Sequence, residues 1–211
     1  MPSRVVIDPT QPSRDVIRDA VEILARGGVV AYPTDTLYGL GADPRSASAV
    51  ARLFRAKGRA AAVPIPLIAA DLEQVRAATR ELDPRTRRVA ARFWPGPLSV
   101  ILPADPALTA AVHAGFHAVA VRVPDHEVAR ALARGFGFAM TATSANRSGA
   151  AATTTADAVI AAFGDDIDLV IDAGPTRGGE PSTIVDLTGT EPRLVRAGVV
   201  PWAHVLESLK E

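Results

Sequence analysis

Thr34, Asp35, Thr36 and Tyr38 put four hydrogen-bonding side chains into five consecutive positions. Gly39, Gly41 and the Asp43-Pro44 pair follow, residues that let a backbone turn tightly or approach a ligand. Downstream, Lys57-Gly58-Arg59 brings two cations to the end of an apolar helical stripe. Hydroxyls beside two cations suit a small polar molecule held next to a phosphate, with Lys as a compact rotatable donor and Arg as a planar fork. Of the 23 Lys and Arg residues only Lys57 and Lys210 are Lys, which marks Lys57 as a chosen point charge. The competing reading is that Lys57 and Arg59 merely complement the C-terminal end of a helix dipole.

Arg122 stands inside the apolar run Val119-Ala120-Val121-Arg122-Val123. A charge on a buried strand is costly unless paired. Arg122 is therefore either a bidentate clamp on a substrate carboxylate or half of an internal ion pair with Asp125 or Asp186. Thr141-Ala142-Thr143-Ser144-Ala145-Asn146 marks a strand running into a loop, the place where α/β sheets bind ligands. Ser144 and Asn146 offer a hydroxyl and an amide to phosphate, metal or ribose, or else close an ordinary turn or cap. Ser182, after a Gly- and Pro-rich loop, and Arg196, a surface charge on base expectations, complete the set. The four His residues show no metal-ligand spacing, and His126 reads as a structural residue at a helix start. With no HxxH pattern and no Cys, neither a dedicated metal cage nor thiolate or disulfide chemistry is expected.

The elements that must hold these groups alternate along the chain. Val29–Tyr32 reads as a buried strand closed by Pro33. Ser46 caps a helix with Ala49, Val50, Leu53 and Phe54 on one face, and Ser13 caps another that ends at Gly27-Gly28. Further strands are expected over 65–69, 98–102, 119–123, 138–141, 169–171, 183–187 and 193–195. Further helices are expected from Asp71, over 84–94, from a cap at Asp125, and over 156–163 and 201–209. This alternation predicts an α/β fold, a twisted mixed β-sheet flanked by helices on both faces.

A chain of 211 residues, 48% apolar and 22% charged, fits one soluble domain with a large core. No apolar run approaches 18 residues and the N-terminus lacks an apolar signal core, so no membrane contact and a cytoplasmic location are expected. Zero net charge argues against a generally basic nucleic-acid binder, though a local tRNA or double-stranded RNA contact stays open.

The strand followed by PTDTLYGLG and a helix ending in K-G-R, then WPGPLSVIL, VAVRVPDH, TATSAN, PSTIVD and VRAG in that order, resembles the YrdC/Sua5 family over about residues 14–202. The resemblance implies a YrdC-like single domain over 1–211 with a large concave ligand cleft, and the short form of the family without an additional C-terminal domain. It implies synthesis of threonylcarbamoyl-AMP and pyrophosphate from L-threonine, bicarbonate or CO2, and ATP. The product would pass to the tRNA threonylcarbamoyl transferase machinery. Thr34, Thr36, Tyr38, Arg122, Thr141 and Ser182 would contact L-threonine. Lys57, Arg59, Ser144, Asn146 and Arg196 would contact ATP, with Lys57 and Arg59 catalytic by neutralising phosphate charge. Mg2+ would arrive with ATP, held mainly by its phosphates.

The chain departs from the family pattern at several positions. Ala60 replaces a Pro, Val63 replaces a polar residue facing the nucleotide, Ile68 stands where some relatives place a His near threonine, and Ala150–Ala152 replace a more polar stretch. These changes point to a looser nucleotide loop. A different class, a double-stranded RNA or ribosome-assembly module using Arg85, Arg87, Arg88 and Arg92, is opposed by zero net charge and few aromatics. A carbamoyl-transfer module of the hydrogenase-maturation type is opposed by the absence of Cys.

Overall fold

Side-chain alternation along short strands separates a core from a cleft in this protein. A computed structural model describes residues 1–58, 63–80 and 82–210. In chain order the elements are β1 (Ser3–Val6), α1 (Arg14–Ala25), β2 (Val30–Pro33), β3 (Tyr38–Gly41), α2 (Ala47–Lys57), β4 (Leu67–Ile68), α3 (Leu72–Thr79), α4 (Pro84–Phe93), β5 (Leu98–Pro103) and α5 (Ala110–His113). They continue with β6 (Ala118–Arg122), α6 (Glu127–Phe136), β7 (Met140–Thr141), β8 (Thr143–Ser144), α7 (Ala156–Phe163), β9 (Leu169–Asp172), β10 (Thr183–Asp186), β11 (Arg193–Arg196) and α8 (Trp202–Ser208).

The expected mixed sheet is present as two. One runs β1-β9-β2-β3-β8 and the other β11-β10-β5-β6-β4-β7. Both mix parallel pairs (β1 with β9, β10 with β5) and antiparallel pairs (β2 with β3, β5 with β6). The segment 140–144 changes sheets: β7 pairs with β4, and two residues later β8 pairs with β3. Thr141 fastens that seam, donating Oγ1 to Leu40 O at 3.2 Å and accepting from Ala42 N at 2.8 Å.

In the first sheet β2 is buried on both faces. Val30 and Tyr32 join one core cluster with Leu24 of α1 and Leu132 of α6, while Ala31 joins the other with Val159 and Phe163 of α7. Helices thus cover both faces. The second sheet is different. Leu98, Val100 and Leu102 of β5, with Val119 and Val121 of β6, enter the core, and their intervening neighbours do not. Burying each such side chain contributes about 1.5–3 kcal/mol.

Two local expectations change. The segment Tyr38–Gly41 is a strand, not a turn: β3 lies beside β2 with Tyr32 opposite Gly39. Its glycines are required by space, since a Cβ on Gly41 would lie 2.9 Å from Met140 Cε and 3.0 Å from Tyr32 Cε1. At α6 the N-cap is His126, one residue past the expected Asp125. The caps Ser46 and Asp71 accept from Ala49 N at 3.3 Å and Gln74 N at 2.9 Å. Ser13 holds the N-cap position without a side-chain bond.

Candidate active site

A cleft of about 1100 Å³ opens over the face of the second sheet that the core does not use. Ala118, Ala120 and Arg122 of β6, Ser99 and Ile101 of β5, and Ile184 and Asp186 of β10 all face it. The pattern Ala-Val-Ala-Val-Arg explains the shape: valines fill the core side, small alanines leave space on the other, and Arg122 closes the row. The wall opposite comes from the β2–β3 turn, with Thr34, Thr36 and Leu37.

That turn is built by its own hydroxyls. Thr34 N donates to Leu37 O at 3.1 Å, Thr34 Oγ1 donates to Leu37 O at 2.7 Å, and Thr36 N and Leu37 N donate back to Thr34 Oγ1 at 3.2 and 3.3 Å. Arg122 reaches it from the floor. Its Nη2 donates to Thr34 Oγ1 at 3.2 Å and Thr36 Oγ1 at 3.3 Å, and its Nη1 donates to Asp35 Oδ2 at 3.3 Å. Asp35 Oδ1 lies closer, 3.0 Å from Nη1, but off the N–H direction and without a hydrogen bond. Arg122 therefore has an internal ion-pair partner and also faces the cleft. The acids first considered for it are engaged elsewhere: Asp125 lies 3.5 Å from Arg130 and Asp186 lies 2.5 Å from Arg193.

Arg196, on the edge strand β11, donates from Nε and Nη2 to Ser182 O at 3.2 and 2.7 Å, and from Nη2 to Ser182 Oγ at 3.1 Å. Ser182 Oγ in turn lies 3.1 Å from Ser99 Oγ. Arg196 sits below the ordinary guanidinium value, first through partial burial and then through the like charge of Arg122. Arg122 and Arg196 thus share one cavity with a chain of hydroxyls and with the Arg193–Asp186 ion pair, an arrangement matched to an anionic ligand.

The other sequence candidates are placed differently. Lys57, 4% exposed at the end of α2, donates from Nζ to Ser144 O at 2.6 Å and Asn146 O at 2.7 Å, so it braces the 144–146 loop. Ser144 lines the cleft and donates to Asn146 Oδ1 at 2.6 Å. The Asn146 amide closes its own loop, reaching Ala150 O at 2.6 Å. The Tyr38 hydroxyl donates to Gly174 O at 2.8 Å, and burial, then the Asp172 carboxylate, pushes its pKa up. Thr141 is fully buried in the seam. Arg59 and Ala60 lie outside the described residues, while Val63 lines the cleft and Ile68 is packed in the core.

Ser99, Thr154, Thr188 and Arg193 also line the cleft and are not among the sequence candidates, and Asp186, expected only as a partner for Arg122, lines it too. Ser99 carried a legible signal, one polar residue in the apolar run Leu98–Leu102. Among the described residues no three His, Asp or Glu side chains gather as metal ligands. Asp35 and Asp186, beside and within the cleft, already face arginines.

A family model named Sua5_yciO_yrdC and described as "Telomere recombination" matches residues 22–198. The threonylcarbamoyl-AMP synthase of Pyrococcus abyssi is 39% identical over 92% of this chain and 57% of that protein. That of Chromobacterium violaceum is 39% identical over 85% of this chain and 92% of that protein. The crystal structure of P. abyssi Sua5 complexed with L-threonine matches with a TM-score of 0.92 and 36% identity, covering 98% of this chain and 60% of that one. The chain spans a little over half the length of the first curated relatives, 57% and 56%. By its cleft, its ordered motifs and these likenesses, the chain belongs to the Sua5/YciO/YrdC family.

Proposed function

We propose that this chain synthesises threonylcarbamoyl-AMP from L-threonine, bicarbonate or CO2, and MgATP, releasing pyrophosphate. The observation that carries the reading is Arg122. It presents a guanidinium to the cleft beside the Thr34 and Thr36 hydroxyls, in a chain that superposes closely on a Sua5 complexed with L-threonine.

In this reading Arg122 takes the threonine carboxylate, and the Thr34 and Thr36 hydroxyls flank it. The amine attacks the carbon of CO2 and loses a proton, giving a carbamate. A carbamate oxygen then attacks the α-phosphorus of ATP, the bond to the β-phosphate oxygen breaks, and pyrophosphate leaves. The protein's contribution is positioning and neutralisation of phosphate charge. Arg196, Ser182 and Ser144 supply donors within the cleft. Lys57 acts by fixing the 144–146 loop through two carbonyls. Magnesium enters as part of the nucleotide and is held mainly by its phosphates. The product is a mixed anhydride that a tRNA-modifying transferase consumes, and the protein works in the cytoplasm. The test is pyrophosphate release with each amino acid in turn. Release that needs L-threonine, bicarbonate, ATP and magnesium together supports the reading, and equal release with serine or with no amino acid sinks it.

A further inference from the structure

Thr34 and Thr36 line the cleft, but Asp35 between them does not. Its carboxylate is 8% exposed and lies against Arg122 Nη1. Among the described residues Arg122 is the one hydrogen-bond donor to that carboxylate. His126, at the start of α6, lies within its field, yet its buried Nδ1 has no hydrogen-bond partner among the described residues and gives Asp35 no competing donor.

We propose that Asp35 is a positioning residue: its carboxylate holds Arg122 Nη1 from behind the cleft wall, so that the remaining N–H groups of the fork face a substrate carboxylate. This rests on the reading of Arg122 as the carboxylate clamp. The guanidinium is held at both Nη atoms by one four-residue turn, Nη1 on Asp35 and Nη2 on Thr34 and Thr36. The threonine hydroxyls are neutral, so Asp35 supplies the charge that keeps a buried cation paired while the cavity is empty. Thr34 Oγ1 is itself fixed by three bonds within the turn. The two Asp35 oxygens stand 3.0 and 3.3 Å from Nη1. The guanidinium can therefore pivot from one oxygen to the other when a ligand binds without breaking the pair. Arg is suited to this double duty because its fork presents five donors in one plane.

The experiment compares wild type, Asp35→Asn, Asp35→Glu, Arg122→Lys and the double variant Asp35→Asn/Arg122→Lys. It measures threonine KM, ATP KM and melting temperature. Asp35→Asn is expected to raise threonine KM at least tenfold and ATP KM less than twofold, and Asp35→Glu to recover most of the loss. In the Arg122→Lys background the Asn change is expected to add less than twofold. An equal rise in both backgrounds, or an unchanged threonine KM in Asp35→Asn, overturns the proposal. Wild type that releases no pyrophosphate with threonine refutes the proposed function instead. Asp35 is then judged by the Arg122 Nη–H resonances, assigned by their loss in Arg122→Lys. Slow exchange in wild type that disappears in Asp35→Asn supports the positioning role, and persistence overturns it.

Discussion

Arg196 stands close enough to Arg122 for the two guanidinium charges to oppose each other, which, after partial burial, lowers the basicity of Arg196. Two like charges facing one cavity are relieved by an anion between them. Inorganic pyrophosphate should therefore raise the melting temperature. At a hundredfold excess over Kd the stabilisation is about 2.7 kcal/mol, or roughly 5–10 °C for a chain of this size. The shift should shrink in high salt and in Arg196→Met. No shift in a thermal melt with millimolar pyrophosphate would show that these arginines do not form an anion site.

Arg122 has both an internal partner and a face on the cleft, so its variants separate two energies. Arg122→Lys keeps the charge near Asp35 but loses the fork. Threonine KM should rise tenfold or more with a small change in melting temperature. Arg122→Ala leaves Asp35 as a buried carboxylate with no hydrogen-bond donor among the described residues and should cost about 3–5 kcal/mol. Calorimetric melts read beside the kinetics distinguish the two, and a stable Arg122→Ala would refute the buried pair.

Lys57 offers a different expectation from a cation open to substrate. Its ammonium bonds two carbonyls of the 144–146 loop. In Lys57→Ala both acceptors lose that donor, at about 1–3 kcal/mol for each group left buried. The melting temperature should fall by roughly 4–8 °C for a loss near 2 kcal/mol, together with turnover. A variant that loses activity without losing stability would show that Lys57 acts on the substrate directly.

Much of this site could be read from residue order because the strands alternate. The apolar row with one Arg at 122 and the hydroxyl-rich stretch after Pro33 both open on the same cavity. What the sequence hid is reach through space. Asp35 and Arg122 are far apart in the chain, and which acid pairs with Arg122 is decided by how the β2–β3 turn folds over β6. Gly39 and Gly41 looked like turn residues because the ring of Tyr32, which makes them necessary in a strand, belongs to the neighbouring strand. Thr141 and Asn146 looked available because their backbone partners come from Leu40, Ala42 and Ala150. The split into two sheets depended on two-residue strands, too short to show a period.

Asp172 gives a pH test. Burial alone would raise its pKa, but hydrogen bonds from Arg4, Gly174 N and Tyr38, with the Arg4 charge, outweigh burial and hold it below the usual carboxylate value. A depressed folded value means the stabilisation is fully present above the unfolded value of about 3.9 and is lost as pH falls through the folded one. Asp172→Asn should therefore lower stability at neutral pH and flatten the fall in stability below about pH 4. Identical acid-unfolding curves for the two proteins would remove Asp172 from that account.

The last expectation concerns Gly198, where two segments of the cleft wall are pressed together. A Cβ there would collide with the carbonyl oxygen of Pro181 and lie 2.7 Å from both Ser182 C and Thr183 N. The obstacle is backbone, which cannot swing aside as a side-chain tip can. The segments are also stitched: Val199 N donates to Pro181 O at 3.1 Å, and Thr183 Oγ1 donates to Val200 O at 2.7 Å and accepts from Val200 N at 3.0 Å. Arg196, two residues before the glycine, bonds Ser182. Gly198→Ala must therefore separate 181–183 from 196–200 and move Arg196 off Ser182. Overpacking of this kind costs about 1–3 kcal/mol, or roughly 2–12 °C in melting temperature. Gly189→Ala is the control, since its nearest obstacle, Glu191 O, is 3.7 Å away, and its stability should change by no more than about 0.5 kcal/mol. If Arg196 serves the nucleotide, ATP KM should rise in Gly198→Ala and stay at the wild-type value in Gly189→Ala. Equal melting temperatures and equal ATP KM in the two variants would show that the close approach at Gly198 does not hold Arg196 in place.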